Sequence, residues 1–314
     1  ASTSIISIEI PSNVDVLESN IFFSCKQLVK VTFSTNSRLI KISGYAFSES
    51  SIQYLEIPSN VSILEKYWSF NTLHLKFVIV SPENEYFVNV NEKIIVGKQG
   101  YNNDILYFVA RDIIGMNIPF HTKHIDTCTF SNSKLRFINF EDNSQLTVIR
   151  LDAFCCSKIE YFYLPSNVTT IECRAFGYCY YLKVFDFQEN SQLTFIGDYE
   201  FMETLIFNIS IPSKVKHIGK GAFLNCNNLC FVDFSCDSEL EIIDENAFQN
   251  TDLTQISIPS HVITIGDNAF YDCINLQIIE IPEKSQLKLL NNYIINEYSN
   301  TIVMIPFELN ISII

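Results

Sequence analysis

Proline recurs in this chain at a fixed interval and in nearly the same local sequence. The prolines concerned are Pro11, Pro58, Pro165, Pro212, Pro259 and Pro306. Four of the five intervals between them are 47 residues, and the first five prolines share the pattern I/L-P-S-x-V. A period this long and regular indicates a repeat protein, in which stacked units share one core. Such an architecture favours a binding surface over a catalytic pocket.

Each 47-residue period contains two related halves. One half, L-x-x-I-x-I-P-S-x-V-x-x-I-x-x-x-A-F-x-x-C, is seen in residues 253–273, and a half without proline is seen in residues 229–248. The last residue of the apolar run marks the register at Ile10, Phe33, Ile57, Val80, Ile118, Phe140, Leu164, Phe187, Ile211, Phe234, Ile258, Ile281 and Ile305. These markers define 13 coils, spaced by 22 to 24 residues except for one interval of 38.

The pattern within a coil predicts its local structure. Apolar and variable residues alternate in L-x-x-I-x-I, as in a half-buried strand, and the following proline cannot donate to a ladder. V-x-x-I predicts a second short strand, and A-F-x-x-C predicts a helical turn. Because no coil buries its apolar face alone, neighbouring coils supply the core. We predict a solenoid of about 13 coils of 23 or 24 residues, with a parallel β-sheet on one face and short strands and helical turns on the other.

The repeat I-P-S-x-V-x-x-I-x-x-x-A-F-x-x-C-x-x-L resembles the BspA-like leucine-rich repeat of bacterial and protist surface proteins. The resemblance covers nearly the whole chain and implies a leucine-rich-repeat solenoid. Residues 63–75 depart from it because they lack A-F, and residues 287–302 are degenerate. The resemblance further implies a secreted or cell-surface location and adhesion to host or extracellular-matrix proteins.

The repeat register predicts one domain over residues 1–314, with degenerate C-terminal coils over 287–314. The irregular coil, about residues 81–117, contains two β-rich runs, Lys93–Val96 and Ile105–Val109, which predict a β-hairpin. We find no apolar run long enough to span a membrane. The chain begins at Ala1 without a signal segment, so we expect a mature protein or an ectodomain whose anchor lies outside it.

The net charge of −14 disfavours nucleic acids and anionic membranes as partners. It is compatible with a basic protein partner, and equally with acidity that only keeps an apolar-rich solenoid soluble.

Ten cysteines raise the question of disulfides. Cys179, Cys226 and Cys273 are two coils apart, about 10 Å at ordinary strand spacing, which is too far for a bridge. We expect buried thiols there, with a Cys156–Cys179 bridge as the alternative. His121 and His124 lack a ligand cluster, and no phosphate loop or nucleophile motif is present. We therefore predict no metal, no cofactor and no enzymatic activity.

The variable positions of L-x-x-I-x-I point away from the core and form a candidate ligand face. The candidate ligand-binding residues are Phe77, Phe137, Tyr161, Tyr163, Asp186, Phe231, Asp233, Ile278 and Glu280. Apolar side chains beside carboxylates suit a partner with basic and apolar groups, and aromatic anchors often dominate binding energies. The alternative is that these residues only pack across strands. Four N-x-S/T sequons are candidate glycosylation sites, at Asn60, Asn167, Asn208 and Asn310.

These observations predict a non-catalytic, protein-binding surface protein that adheres to a host or matrix protein through the open strand face. Because residues 1–10 already form a strand pattern, uncapped ends invite pairing with another chain. The alternative is therefore a structural surface-coat protein that self-associates through its ends. A further alternative is an intracellular scaffold.

Overall fold

The computed structural model of the chain describes residues 4–98, 104–290, 294–295, 301–306 and 312–313. The chain forms two compact units. Unit 1 comprises Ala1–Gln145 and Ala153–Ser157, and unit 2 comprises Leu146–Asp152 and Lys158–Ile314. The prediction of one continuous domain stays a prediction.

Unit 1 contains thirteen strands within its described residues. They are β1 Ser7–Ile10, β2 Val16–Leu17, β3 Lys30–Phe33, β4 Lys41–Ile42, β5 Tyr54–Ile57, β6 Ile63–Leu64, β7 Phe77–Val80, β8 Phe87–Val90, β9 Ile94–Gly97, β10 Ile105–Val109, β11 Gly115–Ile118, β12 His124–Ile125 and β13 Phe137–Phe140. The longer strands form a parallel sheet in the order β1-β3-β5-β7 and a parallel pair β11-β13, while β2-β4-β6 form a second parallel sheet.

Unit 2 contains fifteen strands within its described residues. They are β14 Val148–Ile149, β15 Tyr161–Leu164, β16 Thr170–Ile171, β17 Val184–Phe187, β18 Phe195–Ile196, β19 Asn208–Ile211, β20 His217–Ile218, β21 Phe231–Phe234, β22 Ile242–Ile243, β23 Gln255–Ser257, β24 Thr264–Ile265, β25 Ile278–Glu280, β26 Leu289–Leu290, β27 Ile302–Met304 and β28 Ser312–Ile313. The short strands run in one parallel ladder, β18-β20-β22-β24-β26-β28, with β14-β16 as a further pair. The long strands form the ladders β15-β17, β19-β21 and β23-β25-β27.

The predicted number of about 13 coils and the predicted single parallel sheet both need correction. Across the described residues, thirteen long strands of the repeat bound about twelve turns of a parallel β-solenoid. The long strands form several short ladders instead of one continuous sheet.

The predicted helical turns are wrong, because the described residues contain no helix. In the A-F segments, residues on either side of Ala-Phe adopt left-handed backbone angles, such as Asn246 (φ 58°) and Asn250 (φ 56°). An α-helix requires consecutive right-handed residues, so this alternation excludes it. The amides instead bond to the next coil: Phe248 N donates to the Ala269 carbonyl at 2.8 Å.

Each of these coils of unit 2 contains a pair of residues with left-handed backbone angles, and the two members of a pair are four positions apart. The pairs are Arg174 and Tyr178, Tyr199 and Glu203, Gly221 and Asn225, Asn246 and Asn250, and Asn268 and Asp272. Every second amide of these segments thereby joins a ladder between coils, a pattern that resembles sheet pairing more than helical bonding.

Stacked phenylalanines form the core of unit 2. Phe201, Phe223 and Phe248 follow one another with ring centroids 5.2 Å apart, and Phe248 to Phe270 measures 5.6 Å. All four rings are buried. Because each ring contacts those of the coils above and below it, the column joins successive coils into one apolar core.

The coil without A-F in unit 1 is repacked around a tryptophan and an arginine. Trp68 occupies the alanine position, since its carbonyl accepts from Phe47 N, and its ring meets Phe108 at 5.4 Å. Ser69 occupies the phenylalanine position. Arg111 is buried beside it and donates to the carbonyls of Ser69 and Thr129. Burial lowers the pKa of Arg111 to about 10. Trp68 and Ser69 thus stand where other coils have alanine and phenylalanine, and the side chain of Arg111, from a later segment, is buried beside them.

The irregular coil contains antiparallel strands. β8 pairs with β9 and β9 pairs with β10, while β10 continues in parallel to β12. Phe87, Ile95 and Phe108 from these strands are buried and belong to the core cluster of unit 1. Residues 99–103, between β9 and β10, lie outside the described residues.

Candidate functional site

The strand face of unit 2 consists of the outward side chains of β15, β17, β19, β21, β23 and β25. In these strands exposure alternates with burial, as in the exposed–buried–exposed–buried pattern of β15. The outward residues are Tyr161, Tyr163, Val184, Asp186, Asn208, Ser210, Phe231, Asp233, Gln255, Ser257, Ile278 and Glu280. The inward residues between them, such as Phe162 and Phe185, pack in the core.

The face has two rows, set by the register between paired strands. Tyr161 lies opposite Val184 and Tyr163 opposite Asp186. Every second strand, β17, β21 and β25, carries an apolar residue followed two positions later by a carboxylate. The intervening strands β19 and β23 carry only neutral polar residues. Unit 2 therefore presents a row of apolar groups beside a row of carboxylates.

The aromatic residues of this face are well exposed. Tyr163 is 53% exposed, and Phe231 is 43% exposed. Phe207, which precedes β19, is 52% exposed and meets the Phe231 ring edge-to-face at 5.7 Å. Sequence reasoning missed Phe207, because it stands one residue before the strand motif. A shallow cavity of about 190 Å³ lies beside Phe231 and Asp233, bounded also by Gln255 and Ser257.

The carboxylates of the face are not neutralised by neighbouring cations. Within the described part of the chain, neither Asp186 nor Asp233 forms an ion pair. Glu280 accepts a hydrogen bond from Ser257 Oγ at 2.8 Å. No outward side chain of β15 to β25 on this face is basic. The row is therefore negatively charged and open to a cationic partner.

In unit 1 the candidate residues stand apart from each other. Phe77 is on β7, and Lys93 Nζ lies 5.3 Å from its ring centroid while bonding Asp112 at 2.7 Å. Phe137 is on β13, in another ladder, and its ring lies across β11 where a Cβ on Gly115 would be 2.1 Å from it. Gly115 is thus needed for the ring to lie flat, and the two aromatic residues do not form one patch.

The candidate glycosylation sites occupy different settings. Asn60 is exposed, but its side-chain nitrogen donates to the Ser37 carbonyl at 2.8 Å. Asn167 is exposed after β15, and Asn208 is exposed within β19. Asn310 lies outside the described residues. Glycosylation at any of the four stays a prediction.

The cysteine column contains buried thiols that alternate with threonines. Cys226 Sγ donates to the Phe201 carbonyl at 2.9 Å and meets Thr204 Oγ1 at 3.4 Å. Cys273 and Thr251 repeat the arrangement at 3.2 Å. Burial raises the pKa of the Cys226 thiol to about 11. These thiols are packing groups with little thiolate at neutral pH.

In unit 2 the residue before each stacked phenylalanine is usually a buried alanine, and in one coil it is a buried glutamate. Glu200 stands where other coils have Ala175 or Ala222, is fully buried, and has no hydrogen bond at either carboxyl oxygen. Burial raises the pKa of Glu200 well above its usual range, and nearby Asp152 adds to the shift. Asp152 itself is held by Arg174, with Nε to Oδ1 at 2.9 Å. The group is solvent-inaccessible, which separates it from any surface chemistry.

Two further searches concern other kinds of site. The described residues hold no group of three or more His, Cys, Asp or Glu side chains arranged to bind a metal ion. In the same part of the chain, no helix combines the length and apolarity needed to cross a membrane.

Comparison with solved structures shows the fold. A leucine-rich repeat protein from Eubacterium ventriosum is 19% identical, with a TM-score of 0.74, over 98% of this chain and 79% of that one. A leucine-rich repeat protein from Bacteroides ovatus is 18% identical, with a TM-score of 0.58, over 96% of this chain and 84% of that one. A search of the curated proteins found no match.

Family comparison agrees with the repeat register and the solenoid. The profile of the BspA type leucine rich repeat region matches six times, over residues 1–90, 106–230 and 194–314. The predicted resemblance is thereby confirmed. The chain belongs to the BspA-type leucine-rich repeat family.

Proposed function

We propose that this chain is a non-catalytic surface protein that adheres to a host or extracellular-matrix protein through the strand face of unit 2. The observation that carries the proposal is the exposure of the aromatic side chains of Tyr163 and Phe231 on one strand face that also presents the unpaired carboxylates of Asp186 and Asp233. Exposed aromatic side chains in a rigid setting are the groups that most often dominate protein–protein affinity. Burial of the alternate residues of each strand anchors the backbone that carries these side chains.

Location outside the cell is part of the same proposal. It is supported by family membership, since the repeat resembles that of bacterial and protist surface proteins. Catalysis is disfavoured by the site itself, in which the carboxylates are exposed and about two coils, or roughly 10 Å, apart.

Binding of the full chain to immobilised laminin, fibronectin and vitronectin, each measured separately, tests the proposal. For a protein that is bound, Tyr163→Ala and Phe231→Ala should each weaken binding by about tenfold or more, the effect of losing a dominant aromatic contact. Phe195→Ala is the matched control, because Phe195 is exposed but lies on short strand β18. Unchanged binding in both face variants would overturn the proposal.

Self-association is the second candidate function. It is favoured by an apolar cavity of about 310 Å³ beside β1 in unit 1, lined by Ile5, Ile8, Val14 and Ile21. Burying this cavity against a second copy would remove apolar surface from water. Light scattering over a hundredfold concentration range tests it: a mass that rises with concentration supports association, and a constant monomer mass refutes it.

A further inference from the structure

The strand face of unit 2 has a spacing that limits what its partner can be. We propose, building on the adhesive function above, that it binds a cationic partner segment in polyproline II conformation. In that segment an apolar residue and a basic residue each recur every third position. The argument rests on period, charge and unused hydrogen-bonding groups.

The period comes from the alternation of strands. β17, β21 and β25 each carry the apolar and acidic pair, so the pair repeats every second coil. At ordinary strand spacing two coil steps amount to about 9.6 Å. Within each two steps, as from β17 through β19 to β21, the first step lies between two ladders and the second is a hydrogen-bonded pair. A polyproline II helix has three residues per turn and advances about 9.3 Å per turn. One face of such a segment therefore meets Val184, Phe231 and Ile278 in turn without stretching.

The negative charge of the face indicates that the partner segment has a basic residue beside each apolar one. Asp186, Asp233 and Glu280 lie two residues beyond the apolar positions on the same strands, which places a carboxylate row parallel to the apolar row. A basic side chain adjacent to each apolar one in the partner would reach this row. The chain's net charge of −14 adds a long-range attraction for such a segment.

Hydrogen bonding distinguishes a polyproline II partner from an α-helix. A helical heptad advances about 10.5 Å and would match the spacing nearly as well. However, the side chains of Asn208, Ser210 and Gln255 form no hydrogen bond with any described residue. They lie between the apolar–acidic strands. A polyproline II backbone has free carbonyls for them to bond, whereas the carbonyls of a helix are already bonded. Aromatic-lined surfaces are also the usual docking sites for this conformation.

Fluorescence anisotropy with labelled peptides tests the inference on the full chain. The probe is a peptide of five Pro-Leu-Arg repeats. The comparison peptides are one of the same composition without the three-residue period, one with Glu in place of Arg, and a helical peptide with Leu and Arg at heptad positions. We expect the periodic peptide to bind at least tenfold more tightly than each of the others.

A charge-matched pair of variants assigns the binding to the face. The triple variant Asp186→Asn, Asp233→Asn and Glu280→Gln neutralises the face carboxylates. It should bind the periodic peptide no more tightly than the comparison peptides, and the salt dependence of that binding should become weaker. Neutralising three exposed carboxylates elsewhere should leave both unchanged, in the variant Asp237→Asn, Glu239→Gln and Glu241→Gln.

The outcomes separate this inference from the adhesive function. Equal binding of the periodic and non-periodic peptides, or tighter binding of the helical one, would overturn the polyproline II partner. Adhesion to a matrix protein that is still sensitive to Phe231→Ala would then leave the proposed function standing. Loss of preference in both triple variants alike would show that net charge, not the face, governs peptide binding, and would also overturn the inference.

Discussion

Glu200 makes the stability of unit 2 depend on pH, and replacing it by glutamine should remove that dependence. Its carboxyl is fully buried without a hydrogen bond, and Asp152 and the Cys173 thiol face it. Burial dominates the shift, and the pKa of Glu200 in the folded chain is raised. The folded chain therefore keeps a proton that the unfolded chain has already lost.

The sign and size follow from this difference in proton binding. Below the ordinary carboxyl pKa both states are protonated, and Glu200 contributes no pH dependence. As pH rises above it, only the unfolded state ionises, so stability falls by up to about 1.4 kcal/mol per pH unit. The fall ends once pH passes the raised folded pKa.

Urea unfolding of wild type and Glu200→Gln at pH 5, 6, 7 and 8 measures the effect. Subtracting the unfolding free energy of one protein from that of the other at each pH cancels the contribution of every other titrating group. The difference should be small at pH 5 and grow in favour of Glu200→Gln as pH rises. Glu189→Gln, at an exposed position, should show no such trend. A difference that is constant with pH would refute the reasoning.

Three further substitutions or treatments test the packing. Phe223→Ala should cost about 3–5 kcal/mol of unfolding free energy by leaving a cavity in the ring column, whereas exposed Phe231→Ala should cost under about 0.5 kcal/mol. Thiol labelling of the native chain should modify exposed Cys236 and spare Cys226, and rapid labelling of both would contradict the burial. Thr251→Val should cost about 1 kcal/mol by deleting a buried hydroxyl hydrogen bond, and an unchanged urea midpoint would argue against that bond.

The strands could be predicted from sequence because their signal is strictly local. In segments such as Tyr161–Leu164, alternation of variable and apolar residues sets which side chains are buried, and the structure places Phe162 and Leu164 in the core. The long period then fixes which strands are neighbours. Family membership followed from the same residues.

The non-helical bend at Ala-Phe could not be predicted from the apolar pattern, because the Ala-Phe spacing fits a helical turn as well as the observed bend. The deciding signal lay in the flanking residues. Asn246, Asn250 and Gly221 are of types that tolerate left-handed backbone angles, and left-handed residues four positions apart interrupt any α-helix between them. Tyr199 and Arg174 adopt the same angles without being of such types, so neighbouring coils impose the conformation there.

Other features depend on contacts between distant residues. The missing A-F of residues 63–75 is visible in the sequence, but nothing there indicates that Arg111, from a later segment, is buried against Ser69. The edge-to-face contact between Phe207 and Phe231 depends on how two coils align. The outward direction of the candidate ligand residues followed from alternation, but their role in binding is a proposal that only binding data test.

Hydroxyl-radical footprinting tests the central claim most directly. The full chain would be oxidised with and without whichever matrix protein it binds, and modification would be quantified at Tyr163, Phe231 and Phe195. The account predicts protection of Tyr163 and Phe231, with Phe195 unchanged. Protection of Phe195 with no protection at the other two would contradict the assignment of the strand face of unit 2 as the binding surface.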